Sequence, residues 1–144
     1  MIAVDTNVLV CAHRGEMPFH EAAKRSLQTL ADAPSPWAIP WPCLHEFFGV
    51  VTNARVFKTP TSHAKAIAQI DAWHESPSLV VIGETPKHWL TLRRLISSAQ
   101  VRGPMVHDAR IAAICVDHGV REFWSVDRDF GRFPSLTLRN PLLD

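Results

Sequence analysis

The chain opens with a short apolar run, Ile2 to Val4, that stops at an acid, Asp5, and passes at once into a pattern of helical period, Val8, Leu9, Cys11 and Ala12. This reads as a buried strand feeding a helix, the start of a βα unit. Gly15 and Pro18 mark a turn. The next helix runs from Phe19 to Ala33, with Ala23, Leu27 and Leu30 on one face, and Pro34-Ser35-Pro36 stops it. Trp37-Ala38-Ile39 is a second strand, closed by Pro40. From Pro42 a helix carries the stripe Leu44, Phe47, Phe48 and Val51. Thr59-Pro60-Thr61 breaks the pattern before a helix from Ser62 to Glu75 and a third strand, Leu79 to Ile82. Thr85-Pro86 reads as an N-cap with proline at the first helical position, and a helix to about Gln100 places Trp89, Leu92, Ile96 and Ala99 together. After Gly103-Pro104 a helix from Val106 to His118 ends at Gly119. Phe123 to Val126 is a fourth strand running straight into Asp127, and Leu136 to Leu138 reads as an edge strand. Four alternations of strand and helix predict an α/β fold: a single domain over residues 1–144, with a mostly parallel, twisted sheet of four to five strands and helices on both faces.

At 144 residues the chain is long enough to bury roughly two-thirds of its unfolded surface. Its 47% hydrophobic and 20% charged content describes a soluble globular protein. No apolar run nears the ~20 residues of a membrane helix, and the opening run lacks the basic flank of a secretory signal. Cys11, Cys43 and Cys115 lie in three predicted helices without metal-ligand spacing, which points to buried thiols in a reducing cytoplasm.

The candidate chemistry is carried by acids. Sites of open α/β sheets collect beyond the carboxyl ends of strands. Asp5 and Asp127 each follow a strand. Asp108 opens a helix and belongs to its inward side, with Ile111, Ala112 and Cys115. Glu46 lies off the apolar stripe of its helix, toward Gly49 and Asn53, from where it can reach the cleft of Asp5. Asp129 is a further candidate. Taken singly, each has a plainer reading: Asp5 and Asp108 as helix caps, Glu46 as a solvated acid, Asp127 and Asp129 as turn residues. Taken together, they form a set that cannot ionise side by side unaided, and a hard divalent cation resolves the repulsion. Oxygen ligands without paired His or Cys favour Mg²⁺ or Mn²⁺ over Zn²⁺. With those five acids set aside, nine remain against 15 basic residues, so an acidic centre would sit on a basic body.

These residues resemble a PIN domain. Asp5-Thr6-Asn7, Glu46 within Leu44-His45-Glu46-Phe47, Asp108-Ala109-Arg110-Ile111-Ala112-Ala113 and Ser125-Val126-Asp127-Arg128-Asp129-Phe130 come in that family's order and context. Within the family the chain looks like a VapC-type toxin ribonuclease of a bacterial toxin–antitoxin pair. Arg55-Val56-Phe57 followed by Pro60, His118-Gly119, Arg132-Phe133-Pro134 and Pro141-Leu142 fit the same pattern. Ser125 departs from the Thr more usual there, though a hydroxyl is kept. The resemblance implies an endoribonuclease with catalytic carboxylates Asp5, Glu46, Asp108 and Asp127. These, with Asp129, would hold one or two Mg²⁺ or Mn²⁺ ions. Of the last two acids Asp127 is favoured as ligand because it directly follows the strand. Thr6, Asn7 and Ser125 would fix carboxylate rotamers or serve only as turn and cap groups. Arg110 and Arg128 flank the acids and would hold RNA phosphates or remain solvated. A homodimer and an antitoxin partner are implied as well.

Other motifs weigh less. His45-Glu46 begins like a zinc-protease helix, but Gly49 stands where the second His would be. Trp73 and Trp89 read as core or interface residues. Two other classes share parts of the pattern. A phosphoryl-transfer enzyme also uses a strand-end Asp with Mg²⁺, but its dehalogenase-like form wants an acid where this chain has Asn7. A non-catalytic nucleic-acid-binding version of the fold would not need all four acids.

Overall fold

A computed structural model describes residues 1–143. Five strands form one sheet in the order β3-β2-β1-β4-β5: β1 Ile2–Val4, β2 Trp37–Pro40, β3 Leu79–Ile82, β4 Glu122–Trp124 and β5 Thr137–Arg139. Every pairing is parallel. Along the inner strands Ala3, Val4, Trp37, Ala38 and Ile39 are buried consecutively, so both faces of the sheet are covered. The covering helices are α1 Thr6–His13, α2 His20–Asp32, α3 Trp41–Val51, α4 His63–His74, α5 His88–Ala99 and α6 Val106–Asp117. On β3 the exposed Val80 follows from its edge position.

The chain lays down β1, β2 and β3 in one direction, then returns past β1 to add β4 and β5 on the other side. The order reverses at β1, which makes the carboxyl ends of β1 and β4 the crevice where such sheets bind ligands. The residues that fill this place are Asp5 and the segment from Ser125 onward.

Local signals account for most helix ends. Asp5 caps α1 by accepting from the Thr6 N–H at 2.8 Å. Ser62 caps α4 by accepting from the Lys65 N–H at 3.2 Å. α6 ends at Gly119, whose φ of +73° suits a residue without a Cβ. There the N–H of Val120 donates to the Cys115 carbonyl and that of Gly119 to the Val116 carbonyl, the two bonds of a Schellman turn. On α2 the predicted face Ala23, Leu27 and Leu30 is buried.

Two details of the sequence reading are corrected. The first concerns α5, which begins at His88 rather than Pro86 and buries Thr91 and Leu95. Trp89 is 61% exposed. Thr85 does not cap it: its hydroxyl donates to Asp117 Oδ2 at 3.1 Å, while Thr91 donates to Asp117 Oδ1 at 2.6 Å. The inward face of α5 is thus set by a polar link to α6, which an apolar stripe cannot register. The second concerns β4, which stops at Trp124, so Ser125 and Val126 separate it from Asp127. Val126 turns its N–H to Asn7 Oδ1 at 3.2 Å instead of to a strand.

Trp73 does belong to the core, its ring 4.8 Å from that of Phe47. Cys11, Cys43 and Cys115 are free, buried and helical, as read. Among the described residues no helix is long and apolar enough to cross a membrane.

Candidate metal centre

At the switch point lies a cleft of about 300 Å³ lined by Asp5, Thr6, Asn7, Glu46, Asp108 and Asp127, with Val10, Cys11, Met17, Val50, Ile111, Val126 and Phe130. Its acids come from four segments. Asp5 is the cap of α1, Glu46 stands on α3 one turn before Val50, Asp108 is in the first turn of α6, and Asp127 caps the 3-10 turn Arg128–Arg132. Position alone favours charge at two of them, since the N-terminus of a helix stabilises an anion.

Asp5 is 5% exposed, and both its oxygens are engaged. Oδ1 accepts from the Thr6 N–H and from the Cys43 thiol at 3.5 Å; Oδ2 accepts from Ser125 Oγ at 2.7 Å and from Asn7 Nδ2 at 3.2 Å. Capping and site membership are therefore one arrangement here. Burial pushes the Asp5 carboxyl up, and the bonds from Ser125, Thr6 and Cys43 partly offset that shift. The Cys43 thiol is itself driven up by burial and by the charge of Asp5, so it stays protonated as a donor.

Ser125 joins the two strand ends. Its hydroxyl donates to Asp5 and accepts from Asn7 Nδ2 at 3.1 Å and from the Asp127 N–H at 3.0 Å. Asn7 fastens the same corner through Val126. Thr6 contributes its backbone to Asp5, while its hydroxyl turns to the Cys43 carbonyl at 3.4 Å. Of the three helper residues, Asn7 and Ser125 thus touch a carboxylate with their side chains and Thr6 does not.

Asp108, Asp127 and Asp129 each offer a carboxylate oxygen, and these atoms lie within 4.8 Å of one another. Asp129 belongs to this group as fully as Asp127, because the Asp129 N–H donates to Asp127 Oδ1 at 2.9 Å and folds the turn back. Asp5 and Glu46 line the same cleft as Asp108 and Asp127. The Asp108 carboxyl is pushed up to about 6, first by burial and then by the charges of Asp127, Asp5 and Asp129. Glu46 is raised by burial, then by Asp5 and Asp108. A cation is the missing counter-charge for such a set, and an all-oxygen trio matches a hard divalent ion.

The flanking arginines differ. Arg110 is held by Glu84 in an ion pair, whereas Arg128 is exposed. Sequence reasoning missed the thiol of Cys43 as a donor to Asp5, since nothing in a buried helical cysteine announces its partner 38 residues away. It also missed His107, whose nearby ring opposes the rise at Asp108 and Glu46. A larger cleft, about 770 Å³ between α2 and the sheet, is lined by Arg25, Trp124 and Arg139 and, among the described residues, by no carboxylate, so its size does not make it the reactive centre.

Known proteins share this architecture. The PIN domain family profile matches residues 2–136. VapC ribonuclease Mb2897 of Mycobacterium bovis is 37% identical over 142 residues, spanning 99% of this chain and 96% of that protein. Ribonuclease VapC31 of Mycobacterium tuberculosis is 36% identical over 143 residues, spanning 99% of this chain and 100% of that one. Among solved structures, VapC20 of Mycobacterium tuberculosis, a Sarcin-Ricin loop cleaving toxin, aligns with a TM-score of 0.68 at 19% identity over 91% of this chain and 93% of that one. VapBC2 from Rickettsia felis, bound to a DNA fragment from their promoter, aligns with a TM-score of 0.70 at 20% identity, covering 97% and 98%. These structures speak to the fold and the sequence relatives to the lineage: the chain belongs to the PIN domain family, within its VapC branch.

Proposed function

We propose that the chain is a divalent-cation-dependent endoribonuclease, the toxin of a toxin–antitoxin pair. The observation that carries this reading is the meeting of Asp108, Asp127 and Asp129 oxygens within 4.8 Å, at a cleft that Asp5 and Glu46 also line. The VapC ribonucleases at 36–37% identity supply the substrate class.

Asp108, Asp127 and Asp129 would hold the ion, Mg²⁺ or Mn²⁺, with Asp5 and Glu46 adding negative charge in the same cleft. When bound, such an ion supplies Lewis-acid stabilisation of charge on a phosphodiester oxygen and acidifies water. The protein's own groups do the rest. Ser125 and Asn7 keep the Asp5 carboxylate in one rotamer, so its field is fixed before substrate arrives. Glu46, its carboxyl raised by burial and by the charges of Asp5 and Asp108, accepts the proton of the attacking water. The new O–P bond forms as the P–O3′ bond breaks, and the leaving O3′ takes a proton from solvent, so the products are a 5′-phosphate and a 3′-hydroxyl. Arg128 is the better placed of the two flanking arginines for an incoming phosphate, because Arg110 already has Glu84.

The partner reading follows the same relatives. Solved neighbours such as VapBC-1 from nontypeable Haemophilus influenzae contain both toxin and antitoxin. For this chain we assign an antitoxin that covers the acidic cleft, and a homodimeric toxin.

The test is incubation of the purified chain with single-stranded RNA and Mg²⁺, then with excess chelator, beside Asp108→Asn and Asp5→Asn. Cleavage that leaves 5′-phosphate ends, stops on chelation and is absent from both variants is the expected result. Cleavage that survives chelation, or full activity in both variants, sinks the mechanism. A covalent phosphoryl group trapped on Asp5 would instead favour phosphoryl transfer.

A further inference from the structure

Besides its carboxylates the cleft is lined by Val10, Met17, Val50 and Ile111, whose side chains offer no strong hydrogen-bonding group. RNA has few apolar surfaces, and the largest are the faces of its bases. A phosphate held at the carboxylates by a cation therefore brings a neighbouring base against this apolar wall.

Two residues after Met17 of that wall, at the start of α2, comes Phe19. It is 57% exposed and takes part in no ring contact among the described residues. Its backbone has φ +64° and ψ +18°, the left-handed region, where a bulky residue is uncommon and glycine is at ease. The residue is pinned from both sides. Met17, two positions earlier, lines the cleft, and His20, the next residue, donates from Nδ1 to the carbonyl of Cys11, another lining residue, at 2.7 Å. An exposed ring held in a strained conformation is retained at a cost to stability that no ring–ring contact among the described residues repays.

We propose that Phe19 is a stacking platform for an unpaired base flanking the phosphate that lies at the carboxylates, so that the apolar wall and this ring together select single-stranded or looped RNA. The inference rests on the nuclease reading. A ring face reads no hydrogen-bonding pattern, so the contact accepts any base, and it requires that the base be unpaired.

The experiment uses short single-stranded oligoribonucleotides with 2-aminopurine placed in turn at the two positions on either side of the cleaved bond. Quenching is read with Asp5→Asn, which keeps the substrate whole. One position is expected to quench strongly, and Phe19→Gly added to that background should abolish the quench. In the active chain, Phe19→Gly and Phe19→Ala should raise KM about tenfold, as loss of one base stack predicts, with kcat within twofold. Phe19→Trp should keep KM near its original value. Glycine relieves the left-handed strain, so Phe19→Gly should melt no lower than the parent chain while binding worse, a split that general damage does not produce. Unchanged KM in both truncations, or a quench that persists in Phe19→Gly, overturns the proposal. So does unchanged RNA binding with lost antitoxin inhibition, which would assign the ring to a protein partner. A parent chain that cleaves no RNA would sink the nuclease reading itself, and an absent quench there would sink both.

Discussion

At the scale of single residues, Ser125 ties the cleft together through one hydroxyl. One hydroxyl serves Asp5, Asn7 and the backbone of Asp127. Ser125→Ala leaves buried partners unsatisfied and frees the Asp5 rotamer. We expect a stability loss of about 1–3 kcal/mol by denaturant unfolding and a drop in RNA cleavage of about 10–100-fold. Ser125→Thr, which keeps the hydroxyl, should retain most of both. Equal losses in the two variants would show that packing, not the hydroxyl, matters there. The sequence made this residue visible only as a neighbour of acids; that it accepts as well as donates came from the fold. Asp5 and Asp127 drew notice because each comes just after an apolar run, Asp108 because it opens a helix, and Glu46 because it lies off the apolar stripe of α3. Asp127 and Asp129 were not separable in that way, because the turn that folds Asp129 back onto Asp127 leaves no mark in hydropathy.

Elements were legible where apolar spacing alone decided burial and illegible where a polar pair did. α2 buried the face its spacing indicated. α5 did not: Thr91 faces inward because Asp117 of α6 receives it, and Trp89 is left outside. β4 ended early because Ser125 and Val126 give their hydrogen bonds partly to α1 residues. The end of α5 carries a prediction of its own. Val101 donates to the Ile96 carbonyl at 3.0 Å, which makes Gln100, at φ +51°, occupy the position that Gly119 fills after α6. A non-glycine residue there costs about 1–2 kcal/mol, and glycine returns some of that as extra freedom of the unfolded chain. Gln100→Gly should therefore stabilise by a net amount of about 0.5–1 kcal/mol in urea unfolding. No change, or a loss, would mean that the α5 terminus is not limiting.

On the scale of the whole molecule, the acidic cleft couples stability to protons and cations. Asp5, Glu46 and Asp108 all have carboxyls raised above their ordinary values, Asp108 to about 6. Between the unfolded and folded values the native chain binds more protons than the unfolded one, so stability falls as pH rises through that window. In chelator, the chain is expected to melt higher at pH 5 than at pH 7.5. The lowered Glu16 and Glu84 act in the opposite sense, but only below about pH 4.5, outside this window. Mg²⁺ should reverse the slope, because cation and proton compete for the same oxygens. Tenfold excess over Kd adds roughly 1.4 kcal/mol at pH 7.5, a rise of a few degrees in Tm, and less at pH 5. A Tm in chelator that is flat from pH 5 to 7.5, or an equal Mg²⁺ effect at both, would contradict this coupling.

The bridge of Ser125 between β1 and β4 also bears on when the chain becomes dangerous to its maker. Asp5 precedes Ser125, Asp127 and Asp129 by more than a hundred residues, so it is synthesised well before them. No folding of the leading segments alone can assemble the trio, since two of its three members have not yet been translated. On the proposed nuclease function, a growing polypeptide on the ribosome is harmless to the RNA around it until the β4 segment docks beside β1, and an interrupted product that lacks that segment stays so.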